Sequence, residues 1–85
     1  MNDLELYCKN ELIPYMTRKT LNTKHSAYGL KHIVEKEIGR YVSQDELQQA
    51  LLKFGYPVND FYPISQKYFK KIIQKRKEGH YGRRY

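Results

Sequence analysis

Apolar residues recur at helical spacing in four stretches of this chain, and turn-forming residues separate them. In the first, Leu4, Leu6, Tyr7, Leu12 and Ile13 follow Asn2, an N-cap whose capping box closes on Glu5. A short helix is predicted there, ending near Pro14, because proline lacks the amide donor and restricts the residue before it. Residues 17–25 read as a polar, basic connector. Ser26 then caps a second helix carrying Leu30, Ile33, Val34 and Ile38, with Gly39 as its left-handed stop. The third is the most fully punctuated. Ser43 and Glu46 form a capping box, Val42 staples onto Leu47, and Leu47, Ala50, Leu51 and Phe54 make one stripe. Gly55 stops that helix and Pro57 prevents its resumption.

Residues 56–64, rich in aromatics and proline, predict an ordered loop packed on the core, with a short extended piece at Phe61 and Tyr62. Ser65 caps a last helix, with Ile64 and Phe69 in the staple positions. Its buried stripe is Tyr68, Phe69, Ile72 and Ile73, and Gly79 is its predicted stop. The expected fold is therefore mainly all-α: a small bundle of three to four short helices with a helix-turn-helix-like central pair and one short extended segment near 58–63. Residues 1–78 form a single domain, and 79–85, which lack an apolar face, a basic flexible tail that a partner would order.

Length and composition narrow the function. With 85 residues there is one modest core and no room for a deep catalytic cleft. Nine tyrosines and no tryptophan suit the rims of a thin core, where the ring packs and the hydroxyl reaches water, and they also suit binding surfaces. Cys8 is the sole cysteine, so no internal disulfide can form. No apolar run is long enough to span a bilayer, and the acidic N-terminus does not read as a signal; both point to the cytoplasm.

Catalytic chemistry has no support in the spacing. Cys8 sits among apolar neighbours, and His25, His32 and His80 offer it no partner; His25 and His32, seven apart, lack the paired ligands of a zinc site. Glu35 and Glu37 are two apart on a helix and diverge. Gly79 and Gly82 follow no strand, so no phosphate loop is present. The expectation is a protein that is not an enzyme and needs no cofactor or metal.

Charge is the informative feature. The net charge is +7, yet Lys/Arg and Asp/Glu balance over residues 1–65. The surplus lies in residues 66–85, where Lys67, Lys70, Lys71, Lys75, Arg76, Lys77, Arg83 and Arg84 face only Glu78. Lys67, Lys71 and Lys75 align at four-residue spacing, with Lys70 and Lys77 on a flanking row. Such rows repel, by roughly 0.2–0.5 kcal/mol per pair, which points to an anionic partner. Arg83 and Arg84 lie between Tyr81 and Tyr85, so cations alternate with stacking groups, as suits nucleic-acid backbones and unpaired bases. The predicted contacts are Lys67, Lys70, Lys71, Lys75, Lys77, Tyr81, Arg83, Arg84 and Tyr85, on DNA, RNA or a nucleoprotein complex. The central pair offers a second route, with Asp45, Gln48, Gln49 and Lys53 as exposed groove-facing positions. Asp45 and Glu46 would meet phosphates there, so a helical hairpin that only builds the core is the preferred account of that pair.

The run from His25 to Glu35 (HSAYGLKHIVE), followed by Gly39-Arg40-Tyr41-Val42-Ser43, Phe54-Gly55-Tyr56 and the step Tyr62-Pro63-Ile64-Ser65, resembles small uncharacterised proteins encoded by bacteriophages and integrative elements of bacteria, over residues 20–75. The resemblance implies a bacterial host cell and a mobile-element setting, and it carries no catalytic residue. In that setting small proteins of this kind commonly bind host or phage machinery, an anti-CRISPR-like role among them. Two alternatives read from the residues stand beside nucleic-acid binding: a protein-binding inhibitor working through the tyrosine-rich face of Tyr28, Tyr41, Tyr56 and Tyr62, and a homodimeric transcriptional repressor using residues 44–54.

Overall fold

Short-range hydrogen bonds set the helix boundaries. The Asn2 side-chain oxygen accepts the Glu5 N–H at 2.8 Å and the Glu5 carboxylate accepts the Asn2 N–H at 3.1 Å, closing the capping box that opens α1 (Asp3–Tyr7). The chain then widens into one π-helical stretch, Cys8–Leu12, and tightens into a 3₁₀ turn, Ile13–Tyr15. Pro14 accounts for both changes: an α-helical register would drive its ring against the carbonyl four residues back, and it has no N–H to give. Ser26 and Ser43 accept the N–H groups of Gly29 and Glu46 and open α2 (Ala27–Ile38) and α3 (Gln44–Lys53). Gly39 and Gly55 follow them at φ 81° and 96°, backbone angles that favour glycine. Ser65 accepts the Lys67 N–H at 3.1 Å and starts α4 (Gln66–Gly82).

The computed structural model describes the backbone of residues 1–82 and the side chains of residues 1–77. Within it the protein is an all-α bundle. Leu4, Cys8 and Leu12 meet Leu30 and Val34 of α2, Val42, Leu47 and Leu51 around α3, and Tyr68, Phe69 and Ile72 of α4 in one core. Val42 and Leu47 are both fully buried, as the staple requires. No helix of the described residues is long and apolar enough to cross a membrane.

The first helix forms as expected, with Leu6 51% exposed because Leu4 and Cys8 share its inward face and Leu6 falls opposite. Three expectations are corrected. Ile73 is 57% exposed; at about 100° per residue it falls roughly a quarter-turn away from the centre of the Tyr68–Phe69–Ile72 stripe. Segment 58–63 is irregular, and there is no strand among the described residues. Its carbonyls do accept three backbone bonds, Asp60 from Ala27, Tyr62 from Asn22 and Pro63 from Arg18. Those bonds all run one way, and Pro57 and Pro63 have no donor to return, so no ladder forms. Gly79 does not stop α4, which runs on to Gly82; one glycine inside a helix costs only about 1 kcal/mol relative to alanine. The predicted flexible tail at 79–85 therefore begins inside a helix, and 83–85 lie outside the described residues.

Candidate nucleic-acid interface

Burial of Tyr68, Phe69 and Ile72 fixes the rotation of α4 and so decides what each of its cations faces. At about 100° per residue, the direction opposite that stripe passes through positions 67, 70, 74 and 77. Lys67, Lys70 and Lys77 stand there, exposed, and have no carboxylate partner among the described residues. Lys71 and Lys75 lie nearer the body and are paired. Lys71 donates to Glu11 at 2.9 Å, which raises its pKa above the ordinary lysine value, and its ammonium also lies 5.3 Å from the Tyr15 ring centroid. Lys75 donates to Glu37 at 2.7 Å, and Arg76 reaches both Glu37 and the Ile33 carbonyl. The row Lys67–Lys71–Lys75 is thus not a uniformly free cationic surface: acids from the first helical run and α2 answer two of its three members.

Tyr81, Arg83, Arg84 and Tyr85, the tail contacts expected from the sequence, lie outside the described residues, Tyr81 as regards its side chain.

The connector before α2 is held against the start of α4. Asn22 is fully buried, and its backbone N–H and both ends of its side-chain amide are hydrogen-bonded. Its backbone N–H donates to Tyr62, its side-chain nitrogen donates to the Ile64 carbonyl at 2.9 Å and to Gln66 Oε1 at 2.7 Å, and its Oδ1 accepts the Lys24 N–H. Three residues on, the His25 ring stacks on Phe69 at 3.6 Å and 11°. Burial and the neighbouring Lys24 charge lower the His25 pKa below the ordinary 6.5, favouring the neutral ring. Local patterning assigns the connector no role, since its anchor pairs with residues more than forty positions away.

The four tyrosines proposed as a protein-binding face do not share one. Tyr62 is 2% exposed and packs in the core, and Tyr56 is half-buried against it. Tyr28 and Tyr41 are 59% and 71% exposed, and the Lys31 ammonium lies 5.6 Å and 4.6 Å from their ring centroids. Lys31 is itself nearly buried and pairs with Glu35. Nor is Gln48 free to enter a groove: it is buried and donates to the Asn59 carbonyl at 2.9 Å. Around α3, Arg40 bridges Asp3 and Glu46, and Lys53 pairs with Glu5.

Cys8 is enclosed by the core, and burial pushes its thiol up to about 12, the reverse of an activated nucleophile. Compared with protein families, curated proteins and solved structures, the chain finds no match.

Proposed function

We propose that the protein binds nucleic acid, alone or within a nucleoprotein complex, through the outward face of α4 and the basic residues that follow it. The observation that carries this reading is the stripe of Lys67, Lys70 and Lys77, set opposite the buried face and free of carboxylate partners among the described residues. The body's acids are largely engaged elsewhere: Asp3, Glu5 and Glu46 hold Arg40 and Lys53, and Glu11 and Glu37 hold Lys71 and Lys75. Little negative charge remains to offset the stripe, so phosphates are its natural complement. Lys71 and Lys75 join only where phosphate displaces Glu11 or Glu37. In the mobile-element setting that the resemblance implies, the target would be phage or host nucleic acid or a complex containing it. Titration of DNA and RNA at low and high salt tests the reading. Tight binding that weakens steeply with salt, and its loss in Lys67→Glu/Lys70→Glu/Lys77→Glu, is the expected result; salt-insensitive or unaltered binding contradicts it.

A second reading, docking to a host protein as an inhibitor, is favoured by the exposed pair Tyr28 and Tyr41 fixed around Lys31. Preorganised tyrosines are common anchors of protein interfaces. Under that reading the isolated protein binds nucleic acid poorly, and Tyr28→Ala/Tyr41→Ala abolishes capture of one specific host protein.

A further inference from the structure

Asn22 is the one fully buried residue in a stretch whose other side chains are mostly exposed and polar. Its bonds to Ile64 and Gln66, with the Arg18 N–H on Pro63 and the His25 ring on Phe69, lay residues 18–25 across the first turn of α4. Arg18, Lys19 and Lys24 are exposed in that stretch, which contains no acid, and no acid lies between Phe61 and Lys77.

The rotation of α4 decides which of its cations these three extend. Gln66 and Phe69 touch the connector, so Lys70, one turn after Gln66, stands on its outer flank. Lys71 lies on the other side of the helix, toward Glu11. Positive charge therefore continues from Lys67 and Lys70 onto the connector, while a carboxylate bounds it on the opposite side.

We infer that Arg18, Lys19 and Lys24 form the second arm of a phosphate-binding surface, so that a nucleic-acid backbone crosses the start of α4 and the connector together. This inference rests on the nucleic-acid reading above. The arm is already in place, because Asn22 fixes the connector in the free protein and little ordering remains to be done on binding. The amides best suited to read base edges at this spot, Asn22 and Gln66, are bonded to one another. The contacts are therefore phosphate contacts, which position a backbone and carry no sequence information.

Fluorescence anisotropy over a salt series tests this with two DNA duplexes of unrelated sequence and an RNA duplex of the same length. The full chain is compared with Arg18→Glu/Lys19→Glu/Lys24→Glu and with Lys67→Glu/Lys70→Glu/Lys77→Glu, each checked by circular dichroism. The expected result is that the connector variant keeps its helicity and binds both DNA sequences equally weakly. The slope of log affinity against log salt should shrink by about 2 to 3, at roughly 0.9 for each phosphate no longer neutralised. The DNA and RNA arms identify which backbone the surface prefers, and loss of slope on either supports the inference. If the connector variant keeps affinity and slope while the α4 variant loses both, the second arm is overturned and the α4 reading stands. If the unaltered chain binds none of the probes at low salt, both fall.

Discussion

The phenolic oxygens of Tyr7 and Tyr68 lie 2.7 Å apart, joining the first helical run to α4. Burial pushes the Tyr7 phenol up to about 12 and the Tyr68 phenol further in the same direction, so both stay protonated and one donates to the other. The two ends are not equivalent, for Tyr68 is fully buried and Tyr7 is at the rim. Tyr7→Phe leaves a buried hydroxyl unpartnered, at a cost of about 1–3 kcal/mol, whereas Tyr68→Phe leaves one that can turn to water, at about 0.5–1.5 kcal/mol. Urea unfolding of the two variants measures the difference; equal costs or the reverse order would contradict the geometry.

Asn22 should be the least replaceable polar residue in the chain. Asn22→Ala opens a gap and strands the Ile64 carbonyl, Gln66 Oε1 and the Lys24 N–H together. A loss of about 2 kcal/mol or more is expected, since the buried Ile64 carbonyl left unpaired costs about 1–3 kcal/mol and the gap left by the side chain adds to it. Amide hydrogen exchange should quicken first at Arg18 and Asn22, whose N–H groups lean on Pro63 and Tyr62. Uniform quickening through α2 and α3 would instead mean that Asn22 supports the whole core.

Helix caps and glycine stops were legible because their chemistry is local: Asn2, Ser26, Ser43, Gly39 and Gly55 act on neighbours within a turn. What escaped the sequence is pairing over distance. The connector read as polar filler because the partners of Asn22 are 42 and 44 residues away. The α4 lysines read as one uncompensated row because Glu11 and Glu37 come from other helices. Gln48 read as exposed because helical periodicity cannot foresee that residue 59 folds over it. The site was thus half legible: its element and charge were there to read, but not which cations stay free or what lies beside them.

His25 ties stability to pH. Its folded-state pKa is lowered from the ordinary 6.5, so the folded chain holds that proton less well than the unfolded one. Its contribution is intact above that value and is lost as pH falls through it toward the lower folded value. Thermal melts between about pH 7.5 and about pH 5 should therefore show a drop that His25→Phe reduces, since phenylalanine keeps the stack on Phe69 and cannot titrate. A drop unchanged in that variant would assign the effect to other groups.

Glu11 offers the sharpest test of what the α4 lysines are for. Its pair with Lys71 is exposed on both sides, with relative side-chain accessibilities of 41% and 45%. Exposed pairs of this kind are worth about 0–1 kcal/mol, so Glu11→Gln should barely move the unfolding midpoint. The same change releases Lys71 beside Lys67 and Lys70 and removes a negative charge from the edge of the basic face. If that face meets phosphates, Glu11→Gln binds nucleic acid more tightly than the natural chain at low salt. Its log-affinity slope should also steepen by about 1, because one more cation is free to displace a counterion. If the face only keeps the protein dispersed, the substitution alters neither quantity. A change that strengthens binding while removing an ion pair cannot be mistaken for damage to the fold, so the direction of the shift by itself separates the two accounts.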